Sequence, residues 1–127
     1  DRLYFHKTTL RDLYDRELQR VRDEGYFEAI FRNTSGHITE GCITNLFIRQ
    51  GDRWLTPPIT DGLLPGIWRA HFIEETDVNE ASLSVEDIAE ADDVMIGNSV
   101  RGQIPVGCVY DSEGHPVFTP DDRRRKT

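Results

Sequence analysis

The chain has 127 residues, 37% of them hydrophobic and 30% charged, with a formal net charge of −8. That length builds one domain around one core, and no apolar run approaches the ~20 residues that cross a bilayer. The basic cluster Arg123, Arg124, Arg125 and Lys126 closes the chain, so residues 1–122 sum to −12 and oppose nucleic acid and anionic membranes as main partners.

Two cysteines, Cys42 and Cys108, fit neither a disulfide framework nor a zinc site, and a reducing cytoplasm is the expected compartment. Met95 is the single methionine, so Asp1 reads as an internal residue of a longer polypeptide or as a processed start. Only two of the fifteen basic residues are lysines, Lys7 and Lys126. Covalent amine chemistry would therefore fall to Lys7, because Lys126 sits in a polar tail.

Leu10, Leu13, Tyr14, Leu18 and Val21 recur at helical spacing and predict a helix over 10–23. Thr9 serves as its N-cap, Asp12 completes a box-like pattern, and Gly25 ends it. Lys7 is then expected in an extended segment just before the helix. Over 26–33, Phe27, Ala29 and Phe31 alternate with Glu28 and Arg32, which predicts a strand with the carboxylate and guanidinium outward. A turn at Asn33–Gly36, a strand through 43–49 and a return over Arg53–Thr56 make an antiparallel meander.

Pro57-Pro58 breaks the sheet, and Pro65 opens a second helix over 65–75 in a first-turn position. Ile67, Trp68, Ala70, Phe72 and Ile73 predict that this helix is largely buried, with His71 at its core or edge. A short strand is expected over 77–83. Ser84 with Asp87 caps a third helix over 85–92, and Asp93–Gly97 reads as a buried strand. A polar loop spans Asn98–Gly102, a final strand Pro105–Tyr110, and a turn Asp111–Gly114. The fold class is α+β, with an antiparallel or mixed sheet and flanking helices.

Four pieces could carry chemistry. Lys7 is either an exposed lysine in a fraying end or, with burial and nearby positive charge lowering its pKa, a nucleophilic Schiff-base lysine. Glu40 in Thr39-Glu40-Gly41 is either solvated surface or a carboxylate held between strands, able to pair with a protonated ring nitrogen. Gly62-Leu63-Leu64-Pro65-Gly66-Ile67-Trp68-Arg69 runs into a helix start whose amides at Gly66, Ile67 and Trp68 suit an anion. Gly97-Asn98-Ser99-Val100-Arg101-Gly102 follows a strand with small polar groups that suit phosphate, and Arg101 could take a carboxylate or be plain surface.

In this order and spacing, Lys7, Thr39-Glu40-Gly41 through Asn45-Leu46-Phe47, and Leu64-Pro65-Gly66-Ile67 with Arg69 resemble the C-terminal part of class-IV aminotransferases. These are the fold-type IV pyridoxal-phosphate enzymes. Within that family, His6-Lys7-Thr8-Thr9 and Gly97-Asn98-Ser99-Val100-Arg101-Gly102 look most like aminodeoxychorismate lyase, in particular the lyase-like domain fused behind aminodeoxychorismate synthase component I. The resemblance implies the D-amino-acid-aminotransferase-like fold for residues 1–118, with 119–127 a polar tail. It implies pyridoxal 5′-phosphate as cofactor and Lys7 as the Schiff-base lysine. Glu40 then faces the pyridinium nitrogen, Gly66, Ile67, Trp68 and Ser99 hold the phosphate, and Asn98 and Arg101 lie on the substrate side. Trp68 stands where the family often has threonine, so a backbone contact survives there and a hydroxyl contact does not.

The family also carries a smaller N-terminal domain before the lysine, to which nothing here corresponds, so the chain is expected to be a C-terminal domain or fragment. A homodimer is implied, as is a small-molecule substrate, either aminodeoxychorismate or an amino acid. Three functions follow: the lyase, a branched-chain or D-amino-acid aminotransferase, and a non-catalytic domain that keeps the fold.

Overall fold

A computed structural model describes residues 7–119, with side chains from Arg11 onward. His6 and the tail beyond Thr119 lie outside the described residues, as does the side chain of Lys7. Helix α1 spans Lys7–Asp23. It starts earlier than the periodicity predicts, so Thr9 is inside the helix rather than its N-cap, and Lys7 is helical rather than extended. Nothing between residues 7 and 23 breaks a helix, and each added residue gains a backbone hydrogen bond once the first turn exists. Gly25 closes α1 as expected, at φ +96°, with Tyr26 N donating to Val21 O at 2.9 Å and Gly25 N to Arg22 O at 3.0 Å.

Strands β1 (Ile30–Arg32) and β2 (Ile38–Gly41) form an antiparallel hairpin. Its turn is built by Asn33, whose Oδ1 accepts from Ser35 N and His37 N. The predicted strand over 26–33 is thus cut to three residues, and its outward face is corrected too. Phe27 is exposed, whereas Glu28 turns inward, because the amides of a neighbouring loop supply the donors its carboxylate needs.

Strands β3 (Asn45–Gln50) and β4 (Arg53–Thr56) make the expected meander. Helix α2 (Ile67–Thr76) follows, then β5 (Asn79–Glu80), α3 (Val85–Ala89) and β6 (Asp93–Asn98). Strands β7 (Gly102–Pro105), β8 (Val109–Tyr110) and β9 (Pro116–Phe118) complete the described chain. The main sheet has the order β5-β4-β3-β6-β7, antiparallel except for β4 with β5. The expected strand over 105–110 is split. Pro105 ends edge strand β7, where its missing N–H costs no ladder bond, and β8 pairs instead with β9.

The centre of the sheet is buried on both faces. Leu46 and Ile48 of β3, with Val94 and Ile96 of β6, pack towards Ile38, Leu83, Ile88 and Phe118. The alternate residues Phe47 and Met95 pack towards Val78, Trp68, Phe72 and Ile73. Two-sided burial explains why these strands read as continuous apolar runs rather than as alternation. Ser84 and Asp87 form the capping box predicted for α3.

Helix α2 departs from expectation twice. Pro65 precedes the helix, because Leu64 N donates to Glu40 and holds the loop extended up to the N-cap Gly66. Its surface is also mostly open: Arg69 is its one fully buried residue, His71 is exposed, and Ile67 is 81% exposed. One stripe of a surface helix suffices to cover Phe47 and Met95.

Candidate functional site

Glu40 is the third residue of β2 and is only 6% exposed. Two donors converge on one of its oxygens. Tyr14 on α1 donates its hydroxyl to Glu40 Oε2 at 3.1 Å, and Leu64 N approaches the same atom at 3.4 Å. Oε1 accepts no hydrogen bond from the described residues. Burial raises the Glu40 carboxyl above its ordinary range, against the lowering effects of the Leu64 amide, the Tyr14 hydroxyl and the Arg69 charge. Burial and then the Glu40 charge push the Tyr14 phenol well above the ordinary tyrosine range, so it remains a donor. The Tyr14 ring stacks on Phe31 with centroids 4.7 Å apart and planes 13° from parallel.

The loop that reaches Glu40 through Leu64 leads directly into α2. Gly66 is the N-cap in an extended conformation without a side-chain cap, and the first helical bond runs from Ala70 N to Gly66 O at 3.1 Å. The amides of Ile67, Trp68 and Arg69 therefore precede the helix ladder, as helix starts require. Arg69 fixes this start to the sheet. Its Nη2 donates to Pro57 O at 2.8 Å and to Glu80 Oε2 at 2.6 Å, while its Nε is buried without a partner among the described residues.

Trp68 joins α2 to the end of β6. A Cβ on Gly97 would overlap the edge of the Trp68 ring and stand 2.7 Å from Gly102 O, so only glycine lets the two elements meet here. Trp68 also stacks on Phe72, with centroids 5.1 Å apart. Next to Gly97, Asn98 shapes the β6–β7 turn: its Oδ1 accepts from Val100 N at 3.1 Å and Arg101 N at 2.8 Å. Its Nδ2 donates to Ile43 O at 3.0 Å, tying that turn to the loop between β2 and β3. Glu28 holds the loop from the other side, accepting from Cys42 N, Ile43 N and the Thr44 hydroxyl. Burial and the Glu28 charge push the Cys42 thiol up to about 12, which keeps it neutral.

The fold thus gathers Glu40, the Gly66–Trp68 helix start and the Asn98–Ser99 turn at one end of the sheet. Ser99 is exposed on that turn. Arg101 is exposed as well and lies over the Phe27 ring at 5.4 Å, with Arg22 over the same ring at 4.9 Å. The backbone of Lys7 opens the helix that carries Tyr14, about 10 Å along the axis from it. A cavity of about 700 Å³ lies elsewhere, between Val21, Ile30, Ile38, Ile96 and Val109, and includes none of these predicted site residues except through their neighbours. Among the described residues no group of His, Cys, Asp and Glu could hold a metal ion.

Sequence reasoning missed two side chains. Tyr14 reads as one more member of an apolar stripe, and Glu28 as the outward half of an alternation. A signal for Glu28 exists in Gly41-Cys42-Ile43-Thr44, a tight link whose amides need an acceptor. No local signal identifies Tyr14, because its partner is 26 residues away.

The family model described as Amino-transferase class IV matches residues 2–108. The branched-chain-amino-acid aminotransferase of Escherichia coli is 36% identical over 94 residues, covering 70% of this chain and 30% of that protein. The aminodeoxychorismate lyase of Bacillus subtilis is 32% identical over 83 residues, covering 61% of this chain and 28% of that protein. The crystal structure of a Legionella pneumophila protein provisionally named 4-amino-4-deoxychorismate lyase superposes with a TM-score of 0.75 at 32% identity. That match covers 87% of this chain and 42% of the Legionella chain. The chain thus spans about 30% of the length of the curated relatives it matches. The mixed sheet, the acidic β2 and the glycine-led α2 occur in the segment that the family model covers: the chain belongs to the class IV aminotransferases, a family of pyridoxal-phosphate enzymes.

Proposed function

We propose that the protein is a pyridoxal-phosphate-dependent 4-amino-4-deoxychorismate lyase, releasing pyruvate and forming 4-aminobenzoate for folate synthesis. The observation that carries the cofactor assignment is the divided carboxylate of Glu40. One oxygen is held by Tyr14 and Leu64; the other accepts no hydrogen bond from the described residues, in a buried group linked through Leu64 to an uncapped helix start. These residues fit the cofactor: an acceptor for a ring N–H and a set of free amides for a phosphate belong together in such a site.

When bound, pyridoxal phosphate supplies the electron sink for breaking bonds at the substrate's amine-bearing carbon. The chain's own residues do the rest. Glu40, through its Oε1, would keep the ring nitrogen protonated. The amides of Gly66, Ile67 and Trp68, with the Ser99 hydroxyl, hold the phosphate against the positive end of α2. Lys7 would hold the cofactor through its amine and, once the substrate's amine has taken its place, that freed amine would take the proton from the amine-bearing carbon. Arg101, on the turn that Asn98 shapes, meets a substrate carboxylate. Aromatisation supplies the driving force, so the protein contributes position, a base and a charge partner.

The lyase reading is supported by the likeness of the lysine and Asn98–Gly102 segments to lyases, and by the coverage of the Legionella structure. Transamination is the second reading, supported by 36% identity to the Escherichia coli aminotransferase. A product assay on the complete protein separates them. Pyruvate and 4-aminobenzoate formed without an amino acceptor support the lyase; an obligatory 2-oxo acid supports the aminotransferase. In the same preparation, borohydride reduction with the cofactor is expected to label Lys7, and no label there overturns both.

A further inference from the structure

We infer that Tyr14 is a positioning residue for Glu40: its hydroxyl, fixed by the ring stack on Phe31, locks one carboxylate oxygen so that the other faces a cofactor ring N–H. The inference rests on the reading above, in which Glu40 meets the pyridinium ring. Its basis is the geometry at the α1–β2 contact. A glutamate side chain with three rotatable bonds would otherwise sample several rotamers. Here the phenol at 3.1 Å and the Leu64 amide at 3.4 Å meet Oε2 from two different elements, which leaves one orientation. The phenol is itself immobilised, since its ring lies 4.7 Å from and nearly parallel to that of Phe31 on β1.

The arrangement also has an electrostatic side. Among the described residues, the charged groups acting on Glu40 are Arg69 from α2, which favours the carboxylate, and Glu28 from the segment before β1, which opposes it. A hydroxyl that donates to the carboxylate favours the charged form, the form a ring N–H needs. Tyr14 therefore opposes the burial that would neutralise Glu40. A tyrosine placed only for packing would satisfy the stack on Phe31 without reaching the acid.

Tyr14→Phe tests this in the complete protein, because it keeps the ring and removes only the hydroxyl. In the cofactor-free protein with 13C-labelled glutamate carboxyls, the Glu40 signal, assigned by its loss in Glu40→Gln, is expected to titrate at higher pH than in the wild type. The dissociation constant for pyridoxal phosphate is expected to rise about tenfold, as for a lost hydrogen bond to a charged group. An unchanged Glu40 titration with unchanged affinity overturns the inference. Glu40→Gln separates the two levels. If it weakens cofactor binding while Tyr14→Phe does not, Tyr14 has no positioning role; if it leaves binding unchanged, the assignment of Glu40 to the ring fails first. Should Tyr14→Phe not fold, Phe31→Leu decides the matter. It retains the hydroxyl but frees the ring, and it should move the Glu40 titration and the affinity in the same directions by smaller amounts.

Discussion

Glu40 is a buried acid with two donors on one oxygen. Burial raises its carboxyl above the ordinary value of 4.5, so the folded state holds the proton more tightly than the unfolded chain. The sign follows from linkage. A raised folded pKa contributes stability that is complete below the unfolded value and is lost as pH rises through the folded one. Wild type therefore loses ground to Glu40→Gln as pH rises from the ordinary carboxylate value through the raised folded one. Urea unfolding of both proteins at the two ends of that window should show the variant's relative stability growing with pH. A constant difference would mean that the carboxylate is already fully compensated. The same substitution removes the anion that a ring N–H requires, so added stability and weakened cofactor binding should come together.

Among the elements, α2 carries the amides proposed to hold a phosphate, and two contacts place α2. Arg69 reaches through the interface to Pro57 O and Glu80, while Trp68 rests on the backbone of Gly97. Gly97→Ala puts a methyl group into the Trp68 ring edge and close to Gly102 O. The expected cost is about 2 kcal/mol in chemical unfolding, from overpacking at a backbone that cannot retreat. The rearranged helix start should also bind pyridoxal phosphate more weakly. Glu80→Ala tests the other contact. It leaves the buried guanidinium with Pro57 O alone, and about 1–2 kcal/mol of stability should be lost, because Glu80 itself is partly solvated.

At the scale of the whole molecule, four exposed apolar side chains lie around the candidate site. Ile67 is 81% and Val100 87% exposed, and Leu64 and Ile43 are exposed on the neighbouring loops. These four residues flank the helix start and the β6–β7 turn through the Leu64–Glu40, Asn98–Ile43 and Val100–Asn98 hydrogen bonds. A rim of this kind favours association. Light scattering of this chain at rising concentration should therefore show a mass above 14.6 kDa, and Ile67→Ser with Val100→Ser should restore the monomer. A wild-type chain that stays monomeric at high concentration contradicts this.

The amino-acid order alone determined the local structure wherever the signal was local. The Gly25 stop, the Asn33 turn, the Ser84–Asp87 box and the apolar strand at 93–97 are each written within a few residues. The motifs Thr39-Glu40-Gly41 and Leu64-Pro65-Gly66-Ile67 named the family by the same local route. Tertiary structure decided the rest, because the deciding partners are distant in sequence. The inward turn of Glu28 depends on amides 14 to 15 residues away, the start of α2 on a glutamate 24 residues before Leu64, and the place of Tyr14 on that same acid. A periodic pattern records which face of an element is apolar. It cannot record which polar group on another element will meet that face, since only the packed chain brings the two within hydrogen-bond range.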